Sequence, residues 1–370
     1  MRVQVVDPSA YTPPYDHSLC AALASAGAEV ELVTSAFAYG SVPAPDGYLL
    51  REHFYRHAVG APGSKLRLVS KTLEHVPDML SYRRLAAGAD VVHFQWLALQ
   101  ALDRYLLPRR PAVLTAHDLL PREPRPGQVA AQRRLYGAVD AVLAHSEFGR
   151  GQLVERLGVD AAKVHVIHHG AFDYLTGVSG ELPAELRSPG GPVVLFFGLL
   201  RPYKGIEVLL EAWRRLEHER DPGAELWVVG RPRMAIDTLL SHSPRQVKWL
   251  TRFVSDPELA ACFRRADVVV LPYVQTERFD FSGVLATALA FGRPAVVSDV
   301  GGFGEVAAAG GARLVAPADP AALADALGAL LSDPGQRERL AEGARRAAAG
   351  PYSWSLAAEQ TLSLYRELAG

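Results

Sequence analysis

Hydrophobic positions along the chain gather in short runs instead of alternating. A helix-like stretch ends, an Ala-Asp or similar pair follows, and a run rich in Val, Leu and Ala leads into a polar loop. The pattern recurs as Ala89-Asp90-Val91-Val92-His93-Phe94, Val139-Asp140-Ala141-Val142-Leu143-Ala144 and Ala266-Asp267-Val268-Val269-Val270-Leu271. Such runs suit strands buried on both faces, and helices between them predict a doubly wound parallel α/β sheet. Strands are expected at 2–6, 29–34, 90–94, 112–116, 140–144 and 163–167, then at 192–197, 225–229, 247–250, 267–271, 294–298 and 312–315. About six strands in each half predict an α/β fold of two Rossmann-like domains, 1–172 and 192–350. They are expected to face one another across a cleft lined by strand carboxyl ends. Glycine and proline density makes 173–191 a linker. Residues 351–370 form an amphipathic helix, capped by Ser353 or Ser355 and striped by Trp354, Leu356, Leu362 and Tyr365, expected to return to the N-terminal domain.

Charge and cysteine usage narrow the function. The 370 residues carry 39 Lys+Arg against 40 Asp+Glu, which argues against a nucleic-acid binder working by bulk charge. Cys20 and Cys262 lie in no CxxC or Cys/His cluster, so neither a disulfide framework nor a zinc site is expected. The charge-free apolar run 281–292 is too short to span a bilayer. The chain opens on a strand pattern, and a cytoplasmic protein is expected. The stretch Lys65-Leu66-Arg67-Leu68-Val69-Ser70-Lys71 is basic and partly apolar, yet 18 basic and 19 acidic side chains precede residue 186. No basic half exists to dock on anionic lipid, so membrane association is expected to be weak or absent.

Two stretches point to phosphate chemistry. In Phe196-Phe197-Gly198-Leu199-Leu200-Arg201-Pro202-Tyr203-Lys204-Gly205 a buried strand ends on Gly198, which lets a ligand approach the backbone. Arg201 then offers a fork of donors and Lys204 a point charge. In Asp280-Phe281-Ser282-Gly283-Val284-Leu285, Ser282 is a natural N-cap and Gly283 leaves the first-turn backbone open, a helix start suited to phosphate. No GxGxxG follows the first strand, which disfavours a dinucleotide dehydrogenase.

Together with Leu209-Leu210-Glu211-Ala212, Arg252 to Leu259, Leu271-Pro272, Ala288-Leu289-Ala290-Phe291-Gly292-Arg293-Pro294, Ser298-Asp299-Val300-Gly301-Gly302 and Glu305, these stretches resemble the retaining, nucleotide-sugar-dependent glycosyltransferases of family 4, which share the GT-B fold. The resemblance is tight over 192–317 and looser before. It implies a nucleotide-diphosphate sugar donor, an acceptor hydroxyl, retention of configuration, and no metal or other cofactor. It assigns Gly198, Arg201, Lys204, Ser282 and Gly283 to the donor diphosphate and places Val254 near the nucleobase. The family's two glutamates, eight positions apart, fall here on Phe279 and Thr287. Thr287 keeps only a hydroxyl for the ribose, while Glu277 or Asp280 are the carboxylates expected to reach the transferred sugar from shifted positions. His117, in Thr115-Ala116-His117-Asp118, matches the active-site histidine. Tyr15, Asp16 and His17 in the first loop, and His93, Gln95 and Trp96 after a buried strand, are expected on the acceptor side. The missing glutamates keep a catalytically inactive nucleotide-sugar-binding relative open as an alternative, with a GT-B nucleotide-sugar epimerase beside it.

Overall fold

The computed structural model describes every residue except 41, 122–124, 188–189, 221–222 and 275–279, with side chains also left out at 219–220. It divides into two compact units. The first holds Met1–Gly170, Trp354–Gly370 and Asp280, the described part of Glu277–Asp280; the second holds Ala171–Thr276 and Phe281–Ser353.

The first unit carries β1 (Arg2–Asp7), β2 (Glu29–Thr34), β3 (Leu49–Glu52), β4 (Val91–Phe94), β5 (Ala112–Thr115), β6 (Ala141–Ala144) and β7 (Val164–Val166). They form one parallel sheet in the order β3-β2-β1-β4-β5-β6-β7. The second unit carries β8 (Val193–Phe197), β9 (Glu225–Val229), β10 (Val247–Leu250), β11 (Val268–Leu271), β12 (Ala295–Ser298) and β13 (Ala312–Val315), in the order β10-β9-β8-β11-β12-β13, also parallel. Parallel neighbours need crossovers, supplied by helices such as Pro13–Ser25 after β1 and Ile206–Arg220 after β8. Each unit has its own core: Val6, Phe94, Leu114 and Tyr136 in the first, Val194, Phe196, Trp213 and Val270 in the second. The expected pair of Rossmann-like domains is present.

The recurring Ala-Asp pair has a structural cause. Asp90 accepts from the backbone N–H of Arg2 at 2.7 Å, Asp140 from that of Ala112 at 2.8 Å, and Asp267 from that of Val193 at 2.8 Å. Each aspartate thus caps the open first N–H of the neighbouring strand. The motif belongs to the amino ends of the sheets, away from the ligand edge.

The sequence pattern misses β3. All four of its residues are exposed, and it is an edge strand whose Arg51 pairs with Glu31 at 2.5 Å, so it shows no buried run and carries charge where edges need blunting. The described residues of the stretch expected as a linker, 173–187 and 190–191, belong to the second unit and pack on it in places. Leu175 and Leu186 are buried, Arg264 donates to the carbonyls of Thr176 and Val178, and a Cβ on Gly180 would lie 2.1 Å from the Pro257 carbonyl oxygen. The last helix, Trp354–Ala369, buries Trp354, Leu362 and Tyr365; Leu356 is only partly buried.

Strand order reverses between β1 and β4 in the first sheet and between β8 and β11 in the second. Loops leaving the carboxyl ends of such strands splay apart, which is where doubly wound sheets bind ligands.

Candidate active site

At the β8/β11 reversal the second unit brings the two phosphate-type stretches together. Gly198 ends β8 with φ +107°, and Gly205 follows Lys204 with φ +68°. A Cβ on Gly205 would meet the Pro272 carbonyl oxygen at 1.8 Å, so only a bare backbone lets the Lys204 turn seat under the loop leaving β11. Lys204 is consequently 6% exposed. Its Nζ lies 3.4 Å from the Phe197 carbonyl oxygen and 5.3 Å from the Tyr273 ring centroid, and a Cβ on Gly198 would come within 2.6 Å of it. The ammonium therefore stands over naked backbone. Arg201, on the same turn, is partly exposed, with its Nε buried and unpartnered.

Tyr273 ties this turn to the second stretch, its hydroxyl 3.2 Å from Ser282 Oγ. Ser282 caps the helix Gly283–Ala290 by accepting from the Val284 N–H at 3.3 Å. Val284 Cγ2 would itself touch a Cβ on Gly198 at 3.3 Å. Gly283 is exposed, which leaves the positive end of the helix open beside two cations.

Thr287 turns inward. It is 4% exposed and its hydroxyl donates to the Gly283 carbonyl at 2.8 Å, serving its own helix. Val254 is buried after β10 and just before a capping box in which Ser255 and Glu258 satisfy each other's backbone. Arg252 grips Glu258 at 2.6 and 3.1 Å and holds that carboxyl down to about 2, fixing the 252–255 backbone in place. Glu277 and the Phe279 position lie outside the described residues.

In the first unit histidines close four consecutive strands: His93 in β4, His117 after β5, His145 after β6, and His168 and His169 after β7. Parallel strands put these ends on one edge, and the rings meet there. His117 lies 5.2 Å from His145 and stacks on Trp96 at 5.2 Å and 15°. Tyr15 packs edge-on to His117 at 4.5 Å and to His169 at 4.9 Å. Burial pushes His145 down to about 4 and His93 and His169 to about 3, and it holds His117 well below 6.5, helped by His145, His169 and His93.

Neutral rings fix the proton positions. His145 Nδ1 lies 3.1 Å from the Ile167 carbonyl oxygen, which can only accept, so that nitrogen bears the hydrogen. Its Nε2 is then an acceptor, 3.3 Å from His117 Nδ1, which must donate. His117 Nε2 is left as a lone pair 2.9 Å from the Gln95 side-chain oxygen. The Gln95 amide nitrogen is buried without a partner; a half turn of the amide places its N–H on that lone pair. His145 escaped the sequence reading, although a histidine directly after a buried run was the same signal that marked His117.

The other acceptor-side expectations resolve unevenly. His93 is fully buried, its ring nitrogens bonded to the Tyr365 hydroxyl at 2.5 Å and the Thr115 hydroxyl at 2.7 Å. His17 is buried, bonded to the Tyr48 hydroxyl at 2.5 Å and pushed down to about 4 by burial. Tyr15 and Asp16 are buried as well. Asp16 faces Asp7, a fully buried carboxylate at the end of β1 that no local pattern singled out. Asp7 accepts from the backbone N–H groups of Ser9 at 3.1 Å, Thr12 at 3.1 Å and Tyr11. Burial raises both acids, Asp16 well above its usual range with Asp7 adding to it. Asp7, holding three donors, is the ionised partner. Tyr11 is exposed here, and Trp96 and His117 are partly exposed.

Asp280 is fully enclosed. It accepts from the His145 N–H at 2.6 Å and from the Ser146 hydroxyl, while Ser146 Oγ caps the Gly149 N–H at 2.9 Å. A Cβ on Gly149 would lie 2.6 Å from the Asp280 carboxyl carbon. The carboxylate is engaged with the loop after β6, a positioning arrangement for His145 and not an open face for a sugar.

Among the described residues no helix is long and apolar enough to cross a membrane, and no cluster of metal-ligating side chains is present.

Comparison with known proteins covers both units. The family model described as Glycosyltransferase Family 4 matches residues 15–171, and the one described as Glycosyl transferases group 1 matches 191–333. The D-inositol 3-phosphate glycosyltransferase of Xylanimonas cellulosilytica is 32% identical over 392 residues, spanning 95% of this chain and 90% of that protein. The alpha-maltose-1-phosphate synthase of Mycobacterium tuberculosis is 28% identical, spanning 83% of this chain and 86% of that protein. Among solved structures, sucrose-phosphate synthase from Thermosynechococcus elongatus aligns with a TM-score of 0.75 at 20% identity, covering 100% of this chain and 99% of that one. Anabaena HepE in complex with UDP-glucose aligns with a TM-score of 0.72 at 18% identity, covering 100% of both. The chain is a glycosyltransferase, a member of family 4 within the group 1 glycosyl transferases.

Proposed function

We propose that the chain moves a sugar from a nucleotide-diphosphate sugar to an acceptor hydroxyl, with retention of configuration and without a metal ion. One observation carries the reading: the buried Lys204 ammonium over bare Gly198, next to the open Ser282–Gly283 helix start at the β8/β11 reversal. As the glycosidic bond breaks, negative charge grows on the departing diphosphate. Lys204, Arg201 and the helix-start N–H groups are already placed to stabilise it, so little reorganisation is needed in the transition state. A UDP-glucose complex of the structural neighbour HepE supports a nucleotide-sugar donor, and relatives named as transferases favour transfer over epimerisation.

His117 stays neutral and positions the reacting groups by hydrogen bonding, its ring fixed by His145 and Trp96. Asp280 is committed to His145 and Ser146, so the reading invokes no glycosyl-enzyme bond to it. The acceptor oxygen attacks the face the diphosphate leaves, its C–O bond forms as the C–O bond to phosphate breaks, and its proton passes to the departing phosphate oxygen. Same-face attack retains configuration and puts that oxygen within reach.

The test is release of nucleoside diphosphate from UDP-, GDP- and ADP-hexoses in the presence of EDTA, with Lys204→Met in parallel. The reading expects turnover with one base that survives chelation and drops in the variant. Binding without turnover for every donor supports the inactive relative.

A further inference from the structure

We infer that the loop after β1 and the residues after β4 form an acceptor subsite for an uncharged carbohydrate ring, stacked on Tyr11 and Trp96 and not held through a phosphate. The inference rests on the glycosyltransferase reading above and adds the substrate class.

Three observations converge on the β1/β4 reversal of the first sheet. Tyr11 is a large aromatic left 59% exposed, and it is no floating side chain. Its ring packs on Trp96 with centroids 4.5 Å apart, and Trp96 stacks in turn on His117. The Trp96 indole N–H donates to the Thr12 hydroxyl at 2.9 Å, locking the platform to its loop. An aromatic pair with Tyr11 exposed and Trp96 partly exposed, beside His117, offers an apolar face to a ligand with a flat C–H face, which a pyranose or cyclitol ring has and a linear charged group lacks.

The second observation is the loop backbone. Its N–H groups curl round one point, with Ala10 at φ +49°, the left-handed conformation that a non-glycine residue adopts at a cost. Such a curl is an anion nest. Here the chain fills it itself, since the Asp7 carboxylate takes the N–H groups of Ser9, Tyr11 and Thr12. A phosphate on the acceptor finds these donors occupied and meets a buried negative charge behind them.

The third is the charge nearby. Lys71 is half-buried 4.4 Å from the Tyr55 ring centroid; burial and the neighbouring Arg67 disfavour its charge, while Asp7 and Glu74 favour it, so carboxylates of the fold already offset part of that charge. The histidines behind the platform are held neutral by burial, so they add no positive charge for an anion.

The experiment is saturation-transfer NMR and calorimetry on the full chain with saturating nucleoside diphosphate. The probes are methyl hexopyranosides and myo-inositol, each paired with its phosphorylated counterpart. Expected are ring-proton saturation for a neutral member, at least tenfold weaker binding of its phosphate, and a loss of roughly two- to twelvefold in Tyr11→Ala. Tyr11 is exposed, so this variant leaves the core untouched. Trp96→Phe, which keeps a ring but loses the Thr12 bond, is expected to fall between the two. Preference for the phosphorylated partner, binding indifferent to Tyr11→Ala, or no neutral probe bound would each overturn the subsite. Nucleotide binding in the same titrations keeps the two readings apart: if it persists while sugars fail to bind, only the subsite falls, and if no nucleotide binds, the donor reading falls with it.

Discussion

Replacing Lys204 with methionine removes one ammonium and keeps most of its apolar stem. Lys204 is 6% exposed, so bulk salt screens it far less than a surface lysine. Hydrogen bonds to charged groups contribute about 1.5–3 kcal/mol, which is roughly 10- to 150-fold in a dissociation constant. Arg201 and the Ser282–Gly283 helix start stay in place, so binding should weaken by that factor without disappearing. Isothermal titration of wild type and Lys204→Met with UDP, GDP and ADP, and with the matching nucleosides, separates the contributions. The nucleoside reads the base contact expected near Val254 and reports that the second unit is folded. The diphosphate adds the contribution of Lys204. The expected result is unchanged nucleoside affinity with the diphosphate advantage reduced by roughly 10- to 150-fold. A folded variant whose diphosphate affinity stays within threefold of wild type refutes the donor site as drawn.

Other consequences concern the scaffold around the site. Gly198→Ala puts a methyl 2.6 Å from Lys204 Nζ at φ +107°, so backbone strain of about 1–3 kcal/mol should accompany a displaced ammonium, and urea melts should lose stability together with diphosphate affinity. Gly205→Ala meets backbone at 1.8 Å and should abolish the cooperative transition of the second unit, whereas a near-native melt would contradict the packing. Asp280→Asn leaves one acceptor oxygen where the His145 N–H and the Ser146 hydroxyl use two; about 1–3 kcal/mol should be lost from the first unit with nucleotide affinity unchanged. The unfolded chain protonates His93, His145 and His169 near 6.5 and the folded one only near 3 to 4. Stability should therefore fall as pH drops through that interval, by up to about 1.4 kcal/mol per pH unit for each ring, partly offset by the proton Asp16 holds in the fold. A first-unit urea midpoint that stays flat between pH 7 and 5 contradicts neutral buried rings.

Much of the fold was legible because parallel strands buried on both faces write themselves as unbroken Val and Leu runs. All twelve predicted strands begin and end within a residue or two of β1, β2 and β4–β13. β3 was invisible because an edge strand with every residue exposed has no such run. Glycine and proline at 173–191 mark departures from helix and strand and do not tell whether irregular chain packs, as Leu175 and Leu186 do. At the site, Lys204 and Ser282 could be read locally, since a strand end, a glycine and a cation lie within a few residues. The acceptor side could not. Whether Tyr15, Asp16 and His17 point inward depends on the helix Pro13–Ser25 burying them, and the role of Asp7 depends on a loop that curls back over it. The histidine edge needed the strand order: only with β4 to β7 side by side do His93, His117, His145 and His169 become neighbours.

The central claim is transfer with retention from a nucleotide-diphosphate sugar. Its most direct test is NMR of the anomeric proton in the product formed from each nucleotide hexose with a neutral glycoside acceptor, in EDTA. The account predicts a new glycosidic signal with the donor's own anomeric configuration, undiminished by the chelator and strongly reduced in His117→Ala. An inverted product, or tightly bound donor that never transfers to any acceptor, would contradict it.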